Sequence, residues 1–238
     1  MPKIKLGGQA IAYSVRRSRR AKRIFLNLSP SKGLEVVYPV GLNAPAPEEL
    51  LRQKRDWILA ALDRLSDKVE RLPAREYKDG EIFPLRGVPY RLKLLSVPDQ
   101  NFIEVEPAEG FLEVSHPPSA RCAHIRATIE GFYRENAKIY LPRRVYELAE
   151  MHGFEYEKVR IKNQKTRWGS CSAKRNINLN LRLMMAPDDA IDYVIIHELC
   201  HLRELNHNPA FWALVESCCP QYRHWEAWFK QHGPSLIL

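Results

Sequence analysis

His197-Glu198-Leu199-Cys200-His201 sets two imidazoles four residues apart, with a carboxylate directly after the first. On an α-helix that spacing stacks His197 and His201 one turn apart, so both can reach a single ion. Glu198 then projects toward the open side of that ion, where a carboxylate can take a proton from water. The flanks predict the helix. Ala186-Pro187-Asp188-Asp189 places a proline at the entry and two acids at the positive end of the helix dipole. Ile191, Val194, Ile195, Leu199 and Leu202 follow at intervals of three and four, a stripe that packs inward.

A zinc site with two histidines needs a third protein ligand and leaves one position for water. His207, six residues after His201, is the leading candidate; Glu216 ranks second, and Glu204 is the other rival. Asn206 tolerates a left-handed conformation and is placed to end the helix. Asn208-Pro209 then opens another helical stretch through Glu216.

These residues resemble the YgjP-like zinc metallopeptidases, relatives of the SprT-like proteases within the gluzincin-related enzymes. The resemblance rests on His197-Glu-Leu-Cys-His-Leu and on Asn206-His207-Asn208-Pro209-Ala210-Phe211-Trp212. It extends upstream through Lys165-Thr166-Arg167-Trp168-Gly169-Ser170-Cys171-Ser172, Ile177-Asn178-Leu179-Asn180 and Ile191-Asp192-Tyr193-Val194, and more faintly to residues 19–23. It implies one zinc ion held by His197, His201 and His207, with Glu198 as the catalytic base.

Residues 177–181 alternate apolar and polar side chains at strand period. Such a strand before the metal helix is expected at the edge of a small sheet over the cleft, where an extended substrate can add by main-chain hydrogen bonds. That makes Asn178 and Asn180 candidate substrate-binding residues; the alternative is that they merely face water.

The wider chain reads as α+β: a strand-rich amino-terminal part with one helix, residues 1–118, then a mostly helical zincin-like domain with a small sheet, residues 119–238. Strands are expected at 24–28, 34–38 and 90–95, with a hairpin of 102–106 and 111–115 closed around 107–110. Leu50, Leu51, Trp57, Ile58, Ala61, Leu62 and Leu65 predict a helix over 47–69. Pro117-Pro118 marks the junction, and Pro142 is expected to divide residues 119–150 into two helices. Two more helices, parted near Pro220, close the chain. No internal repeat is visible.

Five cysteines without a CxxC pair match no structural zinc cluster and fit reduced thiols in the cytoplasm. No run approaches the length of a membrane span, and the first residues lack a signal peptide's apolar stretch. The net charge is +9, concentrated in Arg16, Arg17, Arg19, Arg20, Lys22 and Arg23. This run fits either contact with nucleic acid or a solvated strand edge guarded by charge.

The expected activity is zinc-dependent hydrolysis of peptide or protein substrates, with Glu198 as general base. Arg167, Tyr222 and His224 are all available to stabilise an oxyanion. The alternatives are a nucleic-acid-binding or adaptor protein with a structural zinc, and a zinc hydrolase of a non-peptide amide.

Overall fold

Alternating apolar residues at 34–38 and 24–28 pair as strands, and two further strands precede them. The structure, a computed structural model, describes residues 2–29, 33–42, 45–70, 75–164 and 166–238. Lys165 and the side chain of Leu65 lie outside the described residues. The chain divides into two units, Met1–Ala74 and Arg75–Leu238.

The first unit carries β1 (Lys3–Leu6), β2 (Gln9–Ser18), β3 (Phe25–Ser29) and β4 (Gly33–Pro39), in the sheet order β1-β2-β4-β3. Helices α1 (Pro47–Gln53) and α2 (Arg55–Glu70) follow, so the single helix expected over 47–69 is broken at Lys54. Ile4, Ile11, Tyr13, Leu34 and Val36 pack with Leu51 and Ile58 into one core. The basic run starts inside β2, where Arg16 pairs with Glu35 at 3.0 Å, and continues through the connection to β3.

The second unit opens with β5 (Ile82–Leu85), β6 (Val88–Ser96), β7 (Glu104–Ala108) and β8 (Phe111–His116), in the order β5-β6-β8-β7. The topology of the first sheet is repeated pair for pair. In both sheets the middle strands are parallel and the outer pairs antiparallel. Registers coincide as well: Leu6↔Gln9 matches Leu85↔Val88, Tyr13↔Leu34 matches Leu92↔Leu112, and Phe25↔Val37 matches Glu104↔Ser115. Each first hairpin turns on two left-handed residues, Gly7-Gly8 and Arg86-Gly87, as a tight two-residue turn requires. Little sequence identity survives beyond Leu34-Glu35-Val36 and Leu112-Glu113-Val114. The strand period constrains only alternate positions, and many residues satisfy it. The repeat was therefore not visible in the sequence.

Helix α3 (Cys122–His152) runs unbroken through Pro142. Ile125, Ile129, Tyr133, Ala137, Leu141, Val145 and Leu148 form one buried stripe on both sides of the proline. Continuous burial of that stripe offsets the ~3 kcal/mol a mid-helix proline typically costs. The second sheet shares this core: Phe83, Leu92, Leu112 and Val114 are buried together with Tyr133, Leu141, Leu183 and Ile195. Apolar burial thus ties β5–β8 to the helical part, and the division falls at Ala74 and Arg75 instead of near 118.

A third sheet, of order β10-β11-β9, is formed by β9 (Lys158–Lys162), β10 (Gly169–Cys171) and β11 (Asn176–Asn180). A 3-10 turn, Leu181–Met185, leads into α4 (Asp188–Cys200), and α5 (Pro209–Cys218) and α6 (Tyr222–His232) close the unit. The overall class is α+β. Among the described residues, no helix is long and apolar enough to cross a membrane.

Candidate active site

Helix α4 is almost wholly buried, with Ile191, Val194, Ile195, Ile196, Leu199 and Cys200 inside. Each large apolar side chain so placed contributes about 1.5–3 kcal/mol. Polar contacts fix its amino-terminal half. Arg86 donates to both Asp188 carboxylate oxygens, at 2.7 and 2.5 Å, and Tyr140 Oη donates to Asp188 Oδ1 at 3.1 Å. Arg144 grips Asp192 in the same way, at 2.7 and 2.6 Å. These anchors set the angle at which the helix presents its last turn.

That turn carries His197 and Glu198, and His201 stands at the carboxy-terminal cap. The backbone then bends through hydrogen bonds from Leu202, Arg203 and Glu204 to Leu199 and Cys200 carbonyls. Asn206 is not left-handed, so the helix ends without the conformation expected there. The bend returns His207 to the other two histidines. Its Nε2 lies 3.0 Å from His197 Nε2 and 3.1 Å from His201 Nε2. Among the described residues these three form the one group of metal-ligating side chains so arranged.

The donor set fits a zinc ion. His201 Nδ1 is 2.9 Å from the Glu204 carbonyl, which can only accept, so Nδ1 carries the proton and Nε2 keeps its lone pair. Burial pushes the His197 pKa down to about 3, with the other two imidazoles adding to the shift, so that ring is held neutral. Three nitrogens aimed at a common point repel one another unless a proton on one of them or a cation lies between them. A tetrahedral ion with ~2.0–2.1 Å bonds wants them roughly 3.3 Å apart, close to the separations observed.

The rings are held by aromatic packing from α5. His201 stacks on Phe211 with centroids 4.5 Å apart, and His207 lies nearly parallel to Trp212 at 5.7 Å. Asn208 caps α5 by accepting from the Phe211 N–H at 2.8 Å. The rival ligands point elsewhere: the Glu204 carboxylate accepts from Asn208, and Glu216 faces Arg223 at 3.9 Å.

Glu198 is 6 % exposed, and its Oε2 has no hydrogen-bond partner. Burial raises its pKa to about 8, opposed by a hydrogen bond from the Cys171 backbone and by the charge of Arg167. The carboxylate opens on a cavity of about 380 Å³ lined by Arg167, Trp168, Tyr193, His197 and Phe229. Of the three candidate oxyanion donors, Arg167 alone lines this cavity. Tyr222 is buried against Trp212, and its hydroxyl accepts from Arg223; His224 packs on Trp225.

The structure places the two asparagines differently. Asn180 is fully buried; its amide donates to the Gln164 and Arg167 carbonyls and its oxygen accepts from the Arg182 N–H. Both polar atoms of its side chain are thus engaged within the protein. Its work is to hold the segment that carries Arg167 and Trp168. Asn178 is half-buried and donates to Ser170 across the strand pair. The strand bearing both, β11, is the central one, because β9 pairs with it on the far side. The free edge expected there belongs to β10 (Gly169–Cys171), beside Glu198. Sequence reasoning passed over Gly169, although the small Gly-Ser-Cys run is the signal that could have found it.

A model of the YgjP-like family, its metallopeptidase domain, matches residues 22–232. The chain belongs to the YgjP-like metallopeptidases. This match spans both units, so the family pattern includes most of the amino-terminal unit. No curated protein matches. Among solved structures, the metallopeptidase zymogen of Pyrococcus abyssi abylysin is 21 % identical, at a TM-score of 0.36, covering 41 % of this chain and 99 % of its own. The zymogen of Methanocaldococcus jannaschii jannalysin is 22 % identical, at 0.35, covering 38 % and 94 %.

Proposed function

We propose that this YgjP-like metallopeptidase uses zinc, held by His197, His201 and His207, and that Glu198 is its general base. The observation that carries the reading is a three-nitrogen cluster whose His197 lines the same cavity as Glu198, the carboxylate with a buried, unpartnered oxygen. A purely structural metal site would have no use for that carboxylate.

Bound there, zinc supplies a Lewis acid and lowers the pKa of its water toward about 7. The chain's own residues do the rest. Glu198 takes the proton of the attacking water at its free oxygen and later returns one to the leaving amine. The edge of β10 aligns an extended peptide beside that carboxylate by main-chain hydrogen bonds. Arg167 directs its charge at the cavity where the scissile carbonyl becomes anionic.

The test is a peptide library incubated with zinc-loaded wild-type protein and with Glu198→Gln, cleavage products being read by mass spectrometry. Hydrolysis that falls about 10²–10⁴-fold in the variant, with zinc retained, supports the reading. Undiminished hydrolysis overturns the role of Glu198, and no cleavage of any peptide overturns the peptidase reading.

A further inference from the structure

Among the described residues the three sheets have six outer strands, and four are guarded against pairing with another chain. Native edges are blunted by charge or proline. Strand β1 carries Lys3 and Lys5, and β9 carries Lys158, Arg160 and Lys162; β5 contains Pro84, and β7 contains Glu104, Glu106 and Pro107. Two edges have no such guard. One is β10, beside Glu198. The other is β3, Phe25-Leu26-Asn27-Leu28-Ser29, far from it in sequence.

The repeated topology supplies an internal control. Strand β3 stands in the first sheet where β7 stands in the second, with Phe25 at the place of Glu104, Asn27 at that of Glu106 and Leu28 at that of Pro107. The same architecture therefore tolerates a guarded edge, and the first unit does without one. Beside the open edge lies a groove of about 290 Å³ between β3 and the two helices, lined by Ile24, Leu26, Leu50, Lys54 and Trp57. Trp57 and Phe25 are 44 % and 43 % exposed. A strand added to β3 would direct every second side chain into this apolar groove.

Charge selects the occupant. Residues 1–74 hold fifteen Lys and Arg against seven Asp and Glu, a surplus of eight within a whole-chain surplus of nine. Lys54 lines the groove, and Lys22 and Arg23 are exposed immediately before β3. Nucleic acid would match the charge but has no N–H and C=O ladder for a strand edge. We infer that β3 and its groove, within the first unit, dock an extended peptide segment with apolar residues at alternate positions and acidic residues between them.

The probe is a fluorescein-labelled octapeptide of alternating leucine and glutamate, titrated onto the full chain bearing Glu198→Gln so that it is not cut. Binding is thus read independently of the hydrolytic reading. Trp57→Ala, and separately the Phe25→Glu/Asn27→Glu pair that copies β7, should each weaken binding at least tenfold. N-methylating one alternate set of peptide amides should weaken it at least tenfold, while the other set leaves it unchanged. Equal binding by both N-methylated peptides overturns strand addition, and unchanged affinity in both protein variants overturns the site. Two further outcomes also overturn it: a ten-residue oligothymidylate that binds in place of the peptide with the same dependence on Trp57, or a concentration-dependent dimer abolished by the Phe25/Asn27 pair.

Discussion

Gly169 lies directly against Glu198: a Cβ at position 169 would come within 2.6 Å of both Glu198 Cγ and Oε1. The glycine of β10 is thus the wall that positions the carboxylate. Because the obstructed group is the end of a flexible side chain, Gly169→Ala is expected to swing Glu198 aside at small cost to folding. Peptide hydrolysis should fall at least about tenfold, since misplacing a reacting group by ~1 Å can cost 10²-fold. Thermal melting should be nearly unchanged. A large loss of melting temperature would show that Gly169 serves the sheet and not the site.

Asn180 gives the converse expectation. Asn180→Ala removes three hydrogen bonds at a fully buried position and strands the Gln164 and Arg167 segment. The expected destabilisation is about 2–3 kcal/mol, within the cost of leaving buried polar groups unpaired. Denaturant unfolding measures it. If stability is kept while KM alone rises, Asn180 acts on substrate after all.

Metal dependence separates the ligands from the base. His207→Ala should lose near-stoichiometric zinc in elemental analysis, whereas Glu198→Gln should keep it. Stripping the metal with a chelator should lower the melting temperature of wild type, because a ligand present at 1,000 times its Kd stabilises by about 4 kcal/mol. Equal zinc content in His207→Ala and wild type would return the third position to Glu204 or Glu216.

A pH series tests the anchor of α4. The bidentate bond from Arg86, helped by Tyr140, lowers the Asp188 pKa, with burial opposing. A carboxylate depressed in the folded state stabilises fully above its unfolded pKa of about 4, and that stabilisation is lost as pH falls through the lower folded value. Wild type should therefore melt higher than Asp188→Asn at pH 6, and the difference should vanish in more acidic buffer. A difference that persists undiminished into strong acid would rule out the ion pair as its source.

The candidate site was legible where its chemistry is local. His197, Glu198 and His201 lie within one helical turn, and His207 is only six residues further on, so spacing alone could nominate them. Asn178 and Asn180 were read from alternation, which names a strand but not its neighbours. Whether β11 is an edge depends on β9, a partner that begins eighteen residues earlier. Pro142 misled for a related reason: a local rule against proline in helices yields to a buried stripe that only packing reveals.

By itself the sequence determined the candidate metal-binding motif and the α+β class, because ligand spacing and side-chain periodicity are properties of short segments. Tertiary structure alone decided which edges stay open, that Gly169 confines Glu198, that Arg167 shares its cavity, and that one four-strand topology occurs twice. Those facts arise from pairing and packing between segments far apart in the chain, where the constraint falls on shape and register more than on residue identity.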